Sequence, residues 1–200
     1  MLRLILVRHG ETLWNREHRV QGGASDTDLG ERGREQAVHI AKALRGEKID
    51  AIYSSPLKRT YETARAVARH HAVEIVLEPR LRELHTGELE GVLVETLRKS
   101  LFQYMVEKEE GGGFLRLPGG ESLTDLNQRV SPAVEDIVRR HTEGVVVIVS
   151  HYFVLSTAIC SLMQMPLGHM GKLRLEPGGT SVLHIQNGRT CLVSFNVPVS

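Results

Sequence analysis

Four short stretches of the chain hold residue types able to work on an anion. Arg8-His9-Gly10-Glu11-Thr12, with Asn15 just beyond, follows the unbroken apolar run from Leu2 to Val7. A histidine there stands at the carboxyl end of a strand, Gly10 lets the backbone bend beside it, and Arg8 adds a fixed positive charge. The second stretch, Tyr53-Ser54-Ser55-Pro56-Leu57-Lys58-Arg59, puts Pro56 in the first turn of a helix. Arg59 then falls near that helix's N-terminus, where unpaired N–H groups favour negative charge, and off the stripe of Leu57, Tyr61, Ala64 and Ala68. Ser150-His151 follows Val145 to Val149 just as Arg8-His9 follows Leu2 to Val7, so two histidines at two strand ends can converge on one ligand. The fourth stretch runs from Leu81 to Gly91 and carries Glu83, His85, Glu88 and Glu90, among which one carboxyl group could serve as a general acid. Each stretch alone also reads as ordinary structure: a polar turn, a solvated helix arginine, a helix N-terminal histidine, an exposed loop histidine at His85.

A particular set of elements must position these residues. The runs Leu2 to Val7 and Val145 to Val149 have the unalternating character of strands buried on both faces of a parallel sheet. Ile49 to Tyr53 and Val73 to Leu77 predict further strands, and Thr180 to Gln186 and Thr190 to Phe195, around Asn187-Gly188-Arg189, predict a terminal hairpin. Helices are expected over Glu31 to Leu44, buried through Ala37, Ile40, Ala41 and Leu44, and over Pro56 to His70. A third begins at Ser122, which Asp125 caps, and buries Leu123, Leu126, Val130, Val134, Ile137 and Val138. This order predicts an α/β fold: a three-layer αβα arrangement with a mostly parallel central sheet and helices on both faces. A ligand would bind outside the carboxyl ends of the strands. Residues 90–120 interrupt the rhythm. Leu97 to Glu109, with Leu101, Phe102, Tyr104 and Met105, reads as a helix, and Gly111-Gly112-Gly113 and Pro118-Gly119-Gly120 follow it. That region is either a small helical cap inserted over the sheet edge or a helical excursion in a long connection.

Composition narrows the function. The 200 residues carry 25 Lys+Arg against 24 Asp+Glu, a formal charge of +1, with 41% hydrophobic and 4% aromatic residues. Without a basic field or a basic cluster interleaved with aromatics, nucleic acid is a poor partner. No apolar run approaches the roughly 20 residues that span a bilayer, and the start is too short and too soon charged for a signal peptide. A cytoplasmic protein is expected, with Cys160 and Cys191 as small core residues in a reducing compartment. The length suits one domain over residues 1–200.

Taken together and in this order, the four stretches resemble the histidine phosphatase superfamily, the phosphoglycerate mutase-like proteins. The resemblance extends to Val20-Gln21-Gly22, to Leu29-Gly30-Glu31-Arg32-Gly33, to Pro118-Gly119-Gly120-Glu121-Ser122 and to Gly179-Thr180-Ser181, and so covers nearly the whole chain. It implies a phosphatase acting on small-molecule phosphate esters with no metal and no cofactor, as a monomer or homodimer. By the same resemblance His9 is the nucleophile that becomes a phosphohistidine, and Arg8, Arg59 and His151 clamp phosphate oxygens. Asn15 and Gln21 flank the phosphate as hydrogen-bond donors beside Gly22, the backbone N–H of Tyr152 serves it too, and Glu83 is the acid that protonates the leaving group. The chemistry agrees: phosphoryl transfer needs positioning and charge neutralisation, which guanidinium forks supply.

Departures from the family pattern bear on the subfamily. Tyr152 and Phe153 stand where many relatives have glycines, so two rings either line the leaving-group pocket or pack beneath the cap. The acid loop reads Glu83-Leu84-His85-Thr86-Gly87, unlike the Glu-Arg-His-Tyr-Gly of the glycerate mutases, and the insertion is short, which favours a phosphatase over a mutase. Three rivals remain open: a mutase, a non-catalytic phosphate-binding module, and a metal hydrolase with His9, His151 and Glu83 as ligands.

Overall fold

The computed structural model describes residues 1–97, 103, 106–107 and 113–198. Among these, six strands form one mixed sheet: β1 (Leu2–Arg8), β2 (Ile49–Ser54), β3 (Ile75–Leu77), β4 (Gly144–Ser150), β5 (Thr180–Gln186) and β6 (Arg189–Val197). Their order is β3-β2-β4-β1-β5-β6. β1 lies parallel to β4 and β4 to β2, with Arg8 opposite Ser150 and Tyr53 opposite Ile148, whereas β5 and β6 run antiparallel. The sheet is therefore parallel in its first four strands, and β1 and β4 end side by side at its centre.

Alternation along those two strands builds the core on both faces. Leu4, Leu6, Val146 and Ile148 pack with Leu126, Val130 and Ile137 of α4 (Leu123–Arg140) and with Leu155 and Ile159 of α5 (Tyr152–Leu162). Ile5, Val7, Val147 and Val149 meet Ile40 and Leu44 of α2 (Glu31–Leu44) and Ala64 and Val67 of α3 (Lys58–Ala68) on the other face. A single helical turn, α1 (Leu13–Arg16), follows the first chemistry-bearing stretch. The expected capping of α4 is present in full: Ser122 Oγ accepts from the Asp125 N–H, and Asp125 accepts from the Ser122 N–H at 2.7 Å.

Two expectations need correction. Pro56 precedes α3, whose cap is Leu57, and Tyr61 is 40% exposed whereas Arg59 is fully buried. Arg59 and Tyr61 are two positions apart, or about 200° of helical rotation, so α3 cannot bury both, and it turns Arg59 inward. Cys160 is buried but Cys191 is exposed, because β6 is a sheet edge with one face in water; both thiols are free. Gly87–Leu89 and Val94–Thr96 form short 3-10 turns, while Leu101, Phe102, Tyr104, Met105, Gly111 and Gly112 of the expected cap lie outside the described residues. Among the described residues no helix is long and apolar enough to cross a membrane.

The start of α2 packs backbone to backbone on the loop after β1. Gly30 N–H donates to the Glu11 carbonyl at 2.9 Å, a Cβ on Gly10 would meet the Gly33 carbonyl oxygen at 2.3 Å, and one on Gly33 would meet the Glu11 oxygen at 2.1 Å. Only glycine allows that approach, and it sets the bend that turns His9 out of the strand. Gly33→Ala should therefore cost about 1–3 kcal/mol of stability in denaturant titration and lower turnover as the His9 loop is pushed aside; unchanged stability would show that the contact is compliant.

Candidate active site

His9 leaves β1 with its N–H on the Ser150 carbonyl at 3.1 Å, and His151 leaves β4 as the cap of α5. Their rings meet edge to face, 5.2 Å between centroids, and both are buried. Nδ1 of His9 lies 2.8 Å from the Gly10 carbonyl oxygen. A carbonyl only accepts, so Nδ1 carries the proton and Nε2 holds the lone pair. Burial, then Arg59, then Arg8 hold the His9 pKa well below its ordinary value, so the ring is neutral.

The two arginines are held by carbonyls. Arg59 donates to Ser25 O at 2.8 Å and to Gly22 O at 3.0 Å, and Arg8 donates to Leu175 O. Burial lowers Arg59 to about 10, with Glu83, Glu90 and Asp26 opposing the shift, so it stays charged at neutral pH. Among the described residues no carboxylate bonds either guanidinium. Among the described residues Arg8 Nε, Arg59 Nε and His151 Nδ1 are buried nitrogens without a partner; the two arginine nitrogens can donate, and Nδ1 can do so when it carries the ring proton.

Other residues fix those carbonyls. Glu90, half-buried, accepts from Gly22 N–H at 3.0 Å and Ser25 N–H at 2.9 Å, and from the Thr86 hydroxyl, tying down the segment that orients Arg59. Gly178 N–H donates to the His9 carbonyl at 3.0 Å, and Asn196 Oδ1 accepts from Glu176 N–H at 2.8 Å, which seats the strip carrying Leu175 O against Arg8. Asn15 is drawn into the cap of α1 with Thr12, and Gln21 accepts from Thr12 Oγ1 at 3.0 Å and donates to Thr27 Oγ1. Both groups of Gly22 are likewise committed to the scaffold.

Glu83 is buried, accepting from Leu84 N–H at 2.8 Å and from Phe153 N–H at 3.2 Å. Burial raises its pKa above the usual carboxylate value despite these bonds and both arginines. The loop around it is held by Arg129 of α4, whose five N–H groups go to the carbonyls of Arg80, Arg82 and Glu83 and to both oxygens of Glu121. Glu121 also accepts from His85 N–H at 2.9 Å, and the His85 side chain is exposed. The half-buried Tyr152 ring lies over Arg8, 5.6 Å from Cζ to centroid, and edge-on to Phe153. Arg8, His9, Arg59, Glu83 and His151 thus share one buried site at the carboxyl end of β1 and β4. Among the described residues no three His, Cys, Asp or Glu side chains group as a metal site.

Arg129 and Asn196 escape sequence reasoning. Ser55, Glu90 and Glu121 stand in stretches that it does single out, but nothing in their spacing reveals the partners they hold.

Residues 4–198 match the histidine phosphatase superfamily, branch 1, and the chain belongs to that family. It is 37% identical over 200 residues to phosphoserine phosphatase 1 of Hydrogenobacter thermophilus, covering 98% of this chain and 93% of that one. It is equally 37% identical over 176 residues to a probable phosphoglycerate mutase, GpmB, of Yersinia pestis, covering 88% and 81%. Among solved structures, a phosphoserine phosphatase variant from Entamoeba histolytica in complex with phosphoserine superposes with TM-score 0.86 at 30% identity over 99% of this chain and 98% of the other. A mycobacterial glucosyl-3-phosphoglycerate phosphatase complex does so with TM-score 0.84 at 29% identity, covering 98% of both. The chain is accordingly a phosphomonoester hydrolase of the small-molecule phosphatases in this family.

Arg129→Lys keeps the charge but loses the planar fork. It should cost about 1.5–3 kcal/mol in unfolding free energy, and turnover should fall with it as the Glu83 loop loosens; wild-type turnover with the loop intact would remove Arg129 from the positioning of Glu83.

Proposed function

We propose that this chain, a single domain, hydrolyses small-molecule phosphomonoesters through a phosphohistidine on His9, without a metal, as a monomer or homodimer in the cytoplasm. The observation that carries the mechanism is a neutral His9 whose Nε2 lone pair is free, beside Arg8, Arg59 and His151, which among the described residues each keep a buried ring or guanidinium nitrogen without a partner. Two charged guanidiniums and an N–H complement the charge that spreads over three phosphoryl oxygens in transfer. Free cysteines suit the reducing compartment.

In the first step Nε2 of His9 attacks phosphorus, the ester P–O bond breaks, and Glu83 gives its proton to the departing oxygen. Glu83 then takes a proton from water as that water attacks phosphorus, the P–N bond breaks, and phosphate leaves with His9 neutral again. Burial suits Glu83 to this exchange by keeping it protonated further into the pH range. Asn15, Gln21 and Gly22 shape the phosphate side of the pocket, and Tyr152 lines it beside Arg8. The relatives named for phosphoserine make that ester the first to assay in a panel read as kcat/KM. The mutase resemblance supplies a second reading, distinguished by incubating with phosphoglycerate and separating free phosphate from its isomer.

His9→Ala should reduce turnover to background with the fold intact; substantial residual activity would sink the mechanism. The sign of the pH dependence follows from the two shifts. Activity is lost as pH falls through the depressed His9 value, which charges the nucleophile, and as pH rises through the elevated Glu83 value, which removes the acid. Glu83→Gln should abolish the alkaline limb and slow alkyl esters by about 10²–10⁴-fold, with much smaller loss for activated aryl phosphates. Equal losses on both classes would exclude Glu83 as the acid.

A further inference from the structure

We propose that Ser55 is a positioning residue that holds His151 as the neutral Nδ1–H tautomer, so that an uncharged imidazole donates a hydrogen bond to the transferring phosphoryl group. The inference rests on the reading that His151 faces that group. Ser55 stands one residue beyond β2, fully buried, its N–H on the Val149 carbonyl of β4 at 3.1 Å. Its hydroxyl lies 2.9 Å from His151 Nε2, and the Leu57 N–H points at the same oxygen from 3.4 Å. The Leu57 N–H is a donor only. Among the described residues Nε2 is the one acceptor within reach of the Ser55 hydrogen, so this buried hydroxyl is satisfied as a donor only when Nε2 holds a lone pair and the ring proton resides on Nδ1. Nδ1 is buried and has no partner among the described residues, which leaves this N–H for the substrate.

The tautomer matters because protonation is a poor alternative. Facing His151 are Arg8 and His9 at the end of β1, Arg59 on α3 and Arg129 on α4, with Glu83 and Tyr152 also lining the site. Burial and then Arg59 disfavour the imidazolium, so the neutral ring has one N–H to offer, and the bond at its far nitrogen decides which atom the phosphate meets. A lone pair turned toward phosphate oxygens would repel them. His9 is the complement: its Nδ1–H is bound to Gly10 O, and the atom left free is the Nε2 lone pair. The same tautomer thus supplies an attacking lone pair from one ring and a clamping N–H from the other.

Proton–nitrogen correlation spectra of the histidine rings, recorded on the intact protein near neutral pH with and without vanadate, read the tautomer directly. His151 should show a protonated Nδ1 and an unprotonated Nε2 in both states. In Ser55→Ala the Nε2–H form should appear, and kcat/KM at neutral pH should fall about 10–100-fold, by analogy with outer-shell partners of ligating histidines. Ser55→Thr should recover tautomer and rate together. An Nε2–H tautomer in the wild-type protein overturns the proposal, as does a Ser55→Ala protein with unchanged tautomer. If Ser55→Ala does not fold, the wild-type spectrum decides. The spectrum needs no turnover, so its failure is separable from that of the phosphohistidine reading, which residual activity in His9→Ala would expose.

Discussion

Arg8 and Arg59 lie beside two buried neutral imidazoles, held by backbone carbonyls, and among the described residues neither guanidinium is bonded to a carboxylate. The remainder of the site follows from that arrangement. A carboxylate would hold each guanidinium as firmly, but it would also cancel the charge and compete with an incoming phosphate. Carbonyl oxygens orient the fork through partial charge alone and leave the cationic field in place. The scaffold must then immobilise the carbonyls. Glu90 does so for Gly22 and Ser25 from a distance at which it bonds N–H groups and the Thr86 hydroxyl rather than Arg59, and Asn196 and Gly178 do so for the strip at Leu175.

The same separation of orientation from charge governs Glu83, the proposed acid. Arg129 holds the carbonyls of Arg80, Arg82 and Glu83, a role that puts a guanidinium near a carboxyl group which the proposed mechanism needs protonated. Its fork is closed by both oxygens of Glu121, and the pair is close to neutral as seen from Glu83. Burial then prevails over the two site arginines, and the Glu83 pKa rises. Were Glu121 absent, Arg129 would add to the stabilisation of the carboxylate form.

What was legible in the sequence divides along a physical line. The central strands, the bounds of α2, the capping box at Ser122 and the pairing of His9 with His151 all follow from local signals: apolar runs, helical periodicity and strand ends. Arg59 was legible as a site residue but not as a buried one, because off-stripe position on α3 suggests solvent, whereas its rotation is set by what the site must bury. Arg129 gave no signal, since its partners are main-chain carbonyls some 46 to 49 positions away, and a carbonyl belongs to every residue type. Ser55 reads as a strand-end serine until β2 and β4 are placed side by side. The mixed sheet agrees with the expected parallel core, and the exposed Cys191 departs from it because an edge strand has one wet face.

Glu83 and His151, which act on opposite sides of the bond being broken in this reading, are also joined mechanically. His151 caps α5, and the Phe153 N–H in the first turn of that helix is bonded to Glu83 Oε2. Ser150 Oγ, one residue before His151, donates to the Leu81 carbonyl at 2.8 Å, which ties β4 to the start of the acid loop. The donor to the phosphoryl oxygen and the donor to the leaving oxygen are therefore fixed to one frame, and β4 is bonded to the β1 end that carries His9. In phosphoryl transfer the attacking and leaving atoms must lie in line, and little covalent help is available from the protein. In the proposed mechanism, a nucleophile, a clamp and an acid referenced to two adjacent strands meet that requirement. Tyr152 and Phe153, large where smaller residues would give the helix start more freedom, add contact against Arg8 and against each other in the first turn of α5.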